Sequence, residues 1–379
     1  MVNNCSTIQY QASWGFIREP ARPVHLRIDY CEGLKFNDHF DWNNAWHDVI
    51  QVNDNVVLLV GPPLYDAKEW ITANVSFFDP SGNKLPLQFM ELDRVCYTAL
   101  TTGGQINSIS MSSHGGVIQI PVNRNTGAFN NRKTMVVMQK NTPIAWMQQW
   151  VLYHMKVHGL DGFLIYDNGS TDYTASALEA SLQGTTAEIT VVDWPYPFGP
   201  LGSDHAPWDS DYGQYIMLEH AKYRYLSGAA IVLNNDTDEF LVTKGITLDQ
   251  IISHLNNAET GCLRYKGIWI EPYELTNGKS AVDVPVNERD IKNYFCVDPN
   301  NHIGIGYKWM VIPSKHLNHQ WCLHHVNGPM IESDQLYYAH HLGFNTNWSR
   351  QRDVFTGNVS DLKPEPYLLS SLAKMERTP

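Results

Sequence analysis

The chain has 379 residues, above the roughly 100–200 of one ordinary domain, so two domains are expected. Hydrophobic residues make up 43% and charged residues 17%, which excludes a disordered chain and indicates a packed core. The formal charge of −12, with no basic cluster, excludes a general nucleic-acid binder, which must neutralise phosphates with lysine and arginine.

The opening MVNNCSTIQYQASWGF lacks a basic-then-apolar leader, and no run approaches the ~20 apolar residues that span a bilayer. Cys5, Cys31, Cys96, Cys262, Cys296 and Cys322 are dispersed without a CxxC pair, so free buried thiols are expected rather than a disulfide framework or zinc site. These features predict a cytoplasmic enzyme, compatible with peripheral membrane association. A Golgi luminal setting is the alternative if an anchor has been trimmed.

Residues 24 to about 130 carry β-branched and aromatic runs, such as Val56-Val-Leu-Leu-Val60 and Ile71-Thr-Ala-Asn-Val-Ser-Phe-Phe78. Gly61-Pro-Pro63 and Asp79-Pro-Ser-Gly-Asn83 punctuate them. The pattern predicts a small all-β, sandwich-like accessory domain over residues 1–130. Exposure of Trp42, Trp46 or Trp70 on a flat face would make it a glycan binder; their burial would make it a scaffold.

From Thr134 strands alternate with helices, the signature of a parallel sheet covered by helices. Thr134–Met138 predicts a strand, Thr142–His158 a helix closed by Gly159, and Gly162–Tyr166 a second strand. Helix Ser176–Leu182, strand Ile189–Val192, helix Gln214–Leu226 and strand Ala229–Leu233 continue an α/β unit assigned to residues 131–379. Acidic clusters follow two of the strands, Asp167-Asn-Gly-Ser-Thr-Asp172 and Asp236-Thr-Asp-Glu239. Both fall at the carboxyl edge of the sheet, where open α/β folds bind ligands.

Asp236 and Asp238, one residue apart in a turn, can aim carboxylates at one hard cation, Mn²⁺ or Mg²⁺, which in turn binds a diphosphate. A lone DxD is a weak signal. Here apolar runs flank it on both sides, Ala229–Leu233 and Phe240–Val242, and solvated charge runs rarely have such flanks. Asp167 and Asn168 can accept hydrogen bonds from a base or ribose, Gly169 allows close backbone approach, and Ser170–Asp172 can cap the next helix.

Lys140-Asn141, Trp150-Val-Leu-Tyr-His154, the run Gly159–Asp172 and Asn235-Asp-Thr-Asp-Glu-Phe-Leu241 together resemble glycosyltransferase family 92 and related family 2-like enzymes, over about residues 134–345. The resemblance implies a GT-A fold (Rossmann-like, nucleotide-diphospho-sugar transferase), a nucleotide-sugar donor, a divalent metal at the DxD and inverting transfer. It places Lys140, Asn141, Asp167 and Asn168 beside the nucleotide, Gln214 and Arg224 on the helix before the DxD strand, and Asp236 and Asp238 at the metal. The departures are Thr142, where an acidic residue often follows Lys-Asn, and His340-His341, where the family has His-Tyr.

A C-terminal histidine often completes such a metal site; His325 is the first candidate and His340 the second. Inverting transfer needs a base for the acceptor hydroxyl, and Glu271, after strand Cys262–Ile270, ranks before Glu332 and Asp334. Trp269 is the aromatic residue expected against a sugar ring, ahead of Tyr273, Trp309 and Trp321. The expected reaction moves a hexose, with galactose from a UDP donor favoured, to a glycan or glycolipid acceptor, as in polysaccharide biosynthesis. The alternatives are a carbohydrate-binding protein with a decayed GT-A site and a metal-dependent phosphohydrolase. The second would need His and Asp motifs from several strands, which the sequence lacks.

Overall fold

The structure is a computed structural model that describes residues 5–9, 39–200, 211–301, 304–344 and 352–377. Cys31 and the first stretch of the β-rich region, 24–38, lie outside the described residues.

The α/β unit is built on a mixed sheet whose main path comprises β1 (Lys133–Gln139), β2 (Gly162–Asp167), β3 (Glu188–Asp193), β4 (Ile231–Asn234), β5 (Glu239–Thr243), β6 (Cys262–Ile270), β7 (Tyr307–Val311) and β8 (Leu336–His341). The spatial order is β3-β2-β1-β4-β7-β6-β8-β5, and Ile331–Glu332 pairs with β6 off that path. Strands β1 to β4 pair in parallel, and β7 runs antiparallel to both β4 and β6. After β1 the chain builds outward through β2 and β3, then returns to place β4 on the other side. That reversal makes the carboxyl ends of β1, β2 and β4 a topological switch point, where open α/β sheets open a ligand crevice.

Two helices explain how the edge is held. In α1 (Ile144–His158) Trp146, Met147, Trp150, Val151, Tyr153, His154 and His158 are buried. Its C-cap, Gly159, has φ 64°, a left-handed conformation that glycine adopts without Cβ strain. Helix α2 (Ala175–Ser181) starts at Thr174, whose side chain accepts from the Ala177 N–H. Helix α3 (Tyr212–Ala221) runs into a π turn over Lys222–Leu226, so the predicted helix Gln214–Leu226 is present with its last turn widened. Helix α4 (Leu248–Asn257) follows β5, and α5 (Pro366–Arg377) packs on α1. No helix among the described residues is long and apolar enough to cross a membrane.

Among the described residues the N-terminal region forms a two-stranded pair, Ile8–Gln9 with Asn44–Trp46, and two larger sheets, one ordered Gly116–Pro121, Ser108–Ser113, Ser76–Phe78, Lys84–Leu85. The other is ordered Asn123–Arg124, Asp48–Asn53, Val56–Gly61, Val95–Thr101, Leu87–Leu92. The run Ile71–Phe78 is not one strand: Ala67–Asn74 is a helix that buries Ala67 and Ile71 four residues apart, and only Ser76–Phe78 is extended. Ala67, Lys68 and Glu69 favour a helix, and this local preference overrides the β-branched run.

Alternation along Val56–Gly61 decides the packing of the second sheet. Val57 and Leu59 face the partner sheet, whereas Leu58 and Val60 join a core with Tyr215, Leu218 and Trp309 of the α/β unit. The five-stranded sheet is therefore buried on both faces, and the region before residue 131 shares a core with the α/β unit. Trp46 is fully buried, its Nε1 donating to Thr98 Oγ1 at 3.0 Å, and Trp42 is buried against Phe40. Trp70 is half-buried, so two of the three tryptophans are core.

Candidate active site

Strand β4 is buried throughout and ends in two asparagines that anchor its exit. Asn234 Nδ2 donates to the Leu323 carbonyl at 2.9 Å, and the Tyr265 hydroxyl donates to Asn235 Oδ1 at 2.5 Å. The chain then turns over Asp236-Thr237-Asp238 into β5. The Glu239 N–H donates to the Asp236 carbonyl at 3.0 Å, and the Asp236 N–H donates to Glu239 Oε2 at 2.9 Å. Asp238 and Glu239 are buried, while the Asp236 side chain is about one-third exposed.

Helix α1 grips this turn and the strand after it. Trp150 Nε1 donates to the Asp236 carbonyl at 3.0 Å, and the Tyr153 hydroxyl donates to the Leu241 carbonyl at 2.8 Å. His158 Nε2 lies 2.6 Å from the same carbonyl, and the Leu241 N–H donates to His154 Nε2 at 3.2 Å. Positions 150, 153, 154 and 158 share one face of a 3.6-residue helix, so Trp150-Val-Leu-Tyr-His154 serves as a clamp on the acidic turn. Burial pushes His154 down to about 3 and His158 to about 4, which keeps both imidazoles neutral. Neutrality lets His154 Nε2 accept the Leu241 N–H.

Lys308 and His340 face the carboxylates. Lys308 on β7, fully buried, places Nζ 2.8 Å from Asp236 Oδ2 and 3.2 Å from Glu239 Oε2. His340 on β8 pairs in register with Glu239 and with Trp269, and its Nε2 lies 3.1 Å from Asp238 Oδ2. Burial drives the Glu239 carboxyl up to about 7 against the opposing pull of Lys308. Burial opposes protonation of His340 and of Lys308, yet the acidic side chains prevail and raise both above their usual range. The 3.1 Å between Asp238 and His340 fits two adjacent ligands of an octahedral ion, about 2.9–3.1 Å apart for bonds near 2.1 Å. Carboxylate donors suit Mg²⁺ or Mn²⁺, but among the described residues Asp236, Asp238 and His340 do not bring three ligand atoms within 4.8 Å of one another, because Asp236 Oδ2 is turned to Lys308. The histidine that meets the acidic turn is thus His340 rather than His325. The antiparallel register of β8 on β5 brings His340 there, whereas His325 sits in a turn whose carbonyl accepts from the Cys322 N–H. Among the described residues His325 makes no ion pair with Asp236 or Asp238.

The opposite flank of the crevice lies at β1 and β2. Asp167, at the end of β2, accepts from Gln139 Nε2 at 2.8 Å and from the Ser170 hydroxyl, and burial raises its carboxyl above the usual range. Asn141, at φ 52°, accepts from the Thr171 and Asp172 N–H groups at 2.7 and 3.2 Å, tying the two strand-end loops together. Asn168 is consumed as a loop tie, its Nδ2 donating to the Trp194 and Tyr196 carbonyls. Lys140 is exposed, with its charge acting on Asp167. Strand β1 separates β2 from β4, so Asp167 and Asp236 stand about two strand spacings, roughly 10 Å, apart.

Glu271 follows β6 one residue past Ile270, which pairs with His341. It is buried, accepts from Asn301 Nδ2 at 2.8 Å, and burial raises its carboxyl. Glu332 is half-exposed and ion-paired with Arg264 at 3.0 Å. Trp269 lies with its ring 4.4 Å from His340, while Trp309 and Trp321 are core. Arg224 is turned away from the crevice: its Nε lies 3.7 Å from Asp48 Oδ2 in the N-terminal region, and it donates to the Arg124 carbonyl. The widened turn Lys222–Leu226 directs it there. Gln214 is half-buried in the first turn of α3.

Sequence reasoning missed Lys308 and the clamp role of His154 and His158. A lysine inside the otherwise apolar strand Tyr307-Lys-Trp-Met-Val311 was the available signal, since buried charges are paired.

Comparison with curated protein sequences gives no match. Solved structures similar to parts of the chain include the galactosyltransferase LgtC in complex with donor and acceptor sugar analogues (15% identity, TM-score 0.26, 49% of this chain and 60% of that one). S. aureus TarS in complex with UDP-GlcNAc is another (12% identity, TM-score 0.32, 63% of each chain). The glycosyltransferase GlyE of Streptococcus pneumoniae is a third (11% identity, TM-score 0.25, 49% of this chain and 35% of that one). The chain thus spans less than two thirds of the length of each. The family model for glycosyltransferase family 92 matches residues 142–342, which covers the clamp helix, both acidic clusters, Lys308 and His340. The chain, with its GT-A sheet, belongs to glycosyltransferase family 92.

Proposed function

We infer that this protein transfers a hexose from a nucleotide-diphosphate sugar to a hydroxyl of a glycan or glycolipid, with inversion and with help from a divalent metal. The observation that carries this reading is the acidic turn Asp236–Glu239 at the switch point, gripped by α1 and neutralised by Lys308 and His340. The donor in this reading is a UDP-hexose, galactose first.

In this reading Asp167 and Lys140 receive the nucleoside; Asp238 and His340 in its neutral form would hold the cation, with Asp236 joining them once its carboxylate turns from Lys308. When bound, that ion supplies positive charge to the leaving diphosphate. Trp269 borders the acceptor ring. The acceptor oxygen attacks the anomeric carbon opposite the diphosphate, its proton passes to the Glu271 carboxylate, and the bond to the diphosphate breaks with its electron pair. A carboxyl raised by burial is a stronger base than an exposed one, which supports Glu271 in that role.

The test is nucleotide release from a panel of sugar nucleotides with an acceptor mixture, in Mn²⁺, Mg²⁺ or EDTA, for the native chain and Asp238→Ala. Metal-dependent release from one donor, abolished in the variant, is expected. Equal release in EDTA, or undiminished release by Asp238→Ala, overturns the assignment of the turn.

A further inference from the structure

Behind the sheet, in the seam between the N-terminal layer and α3, three metal-ligating side chains from distant stretches of chain converge. Cys5 precedes the short strand Ile8–Gln9, Asp48 opens the strand Asp48–Asn53, and His220 lies on α3. Cys5 Sγ is 3.9 Å from His220 Nε2, and the same nitrogen is 3.0 Å from Asp48 Oδ2. One ligand atom from each lies within 4.8 Å of the other two, and Asp48 and His220 are fully buried.

The other polar atoms of the trio are already engaged. His220 Nδ1 lies 2.7 Å from the Tyr166 hydroxyl. Asp48 Oδ1 accepts from the Ser6 N–H at 2.8 Å, from the Val49 N–H at 2.8 Å and from Asn123 Nδ2 at 2.7 Å. This is how metal-binding histidines and carboxylates are oriented: the far atom is fixed by a neighbour and the near atom is aimed at the ion. With zinc bonds of about 2.3 Å to sulfur, 2.0–2.1 Å to nitrogen and 2.0–2.2 Å to oxygen, a tetrahedron sets S···N near 3.6 Å and N···O near 3.3 Å. The observed 3.9 and 3.0 Å each lie within about 0.4 Å of those values.

We propose that Cys5, Asp48 and His220 form a three-ligand zinc site that staples the N-terminal layer to the catalytic unit. On binding, the Cys5 thiol releases its proton to solvent, and the thiolate and the Asp48 carboxylate balance the charge of the ion. Arg224, 3.7 Å from Asp48 Oδ2, then leaves one positive charge in the seam, and Asp193, whose charge also acts on Cys5, offsets it. Water takes the fourth position, since the nearby Tyr196 hydroxyl is engaged by Thr7 and donates to the His47 carbonyl. A thiolate, imidazole and carboxylate set selects zinc, whereas the oxygen-rich acidic turn selects a harder ion. Cys5 and His220 are separated by 215 positions, so the ion closes a long loop that the folded layers must otherwise close unaided.

The test uses the full chain, purified without chelator and dialysed against metal-free buffer, with zinc measured by mass spectrometry. About one zinc per chain is expected, retained by Asp238→Ala and lost by Cys5→Ser and His220→Asn. Cobalt exchanged into the native chain should give a thiolate-to-cobalt charge-transfer band that Cys5→Ser lacks. A strong chelator should lower the melting temperature of the native chain and leave that of Cys5→Ser unchanged. Cys5 is only half-buried, so the serine variant keeps the test valid if His220→Asn does not fold. Folded native protein without zinc or the cobalt band, melting alike in zinc and in chelator, overturns the proposal and leaves a buried ion pair. Zinc retained by Cys5→Ser overturns it too. Retention by Asp238→Ala separates this site from the catalytic turn, so either reading can fail alone.

Discussion

Replacing Lys308 with methionine tests whether the acidic turn depends on an internal counter-ion. The ammonium is fully buried, with carboxylate oxygens of Asp236 and Glu239 at 2.8 and 3.2 Å. Methionine keeps the length of the side chain and removes its charge. Losing one partner of a buried ion pair costs about 3–5 kcal/mol, because the remaining charge is stranded. Glu239 sits near 7 even with the lysine present, so without it the carboxyl takes up a proton and part of the cost is recovered at acidic pH. Urea unfolding in EDTA at pH 6 and pH 8.5 should show Lys308→Met destabilised at both, and more at pH 8.5. Glu239→Gln added to it should recover at least about 1.5 kcal/mol, the coupling typical of close charged partners. A cost below about 1 kcal/mol, or no recovery in the double variant, would refute the counter-ion argument.

Glu271→Gln should reduce kcat by roughly 10²–10⁴ with the donor KM unchanged, since a general base acts in the transition state; steady-state kinetics that show a donor KM effect alone would reassign it. His154 and His158 bind fewer protons folded than unfolded, because their folded values of about 3 and 4 lie below the ordinary 6.5. Their contribution is therefore full above pH 6.5 and is lost as pH falls toward 4, at up to about 2.7 kcal/mol per pH unit for the two. His154→Gln should remove about half of that slope in unfolding measured across pH 4–7. Gly159→Ala should cost about 1 kcal/mol in thermal or urea unfolding, because the helix end at φ 64° favours a residue without Cβ.

Local chemistry made much of this protein legible in the sequence. The βαβ rhythm from Thr134, the helix ending at Gly159 and the acidic runs after buried strands all follow from period, caps and burial, which neighbouring residues fix among themselves. Asp236 and Asp238 were readable for that reason. Only the tertiary structure decided which distant residues face them. The register of β8 on β5 selects His340, the place of β7 in the sheet delivers Lys308, and the packing of α1 turns Trp150, His154 and His158 into a clamp. It also turned Arg224 to the seam, where Asp48 meets Cys5 and His220. Such pairings depend on strand order and crossing elements, so residues far apart in sequence acquire a shared role only when the sheet is assembled.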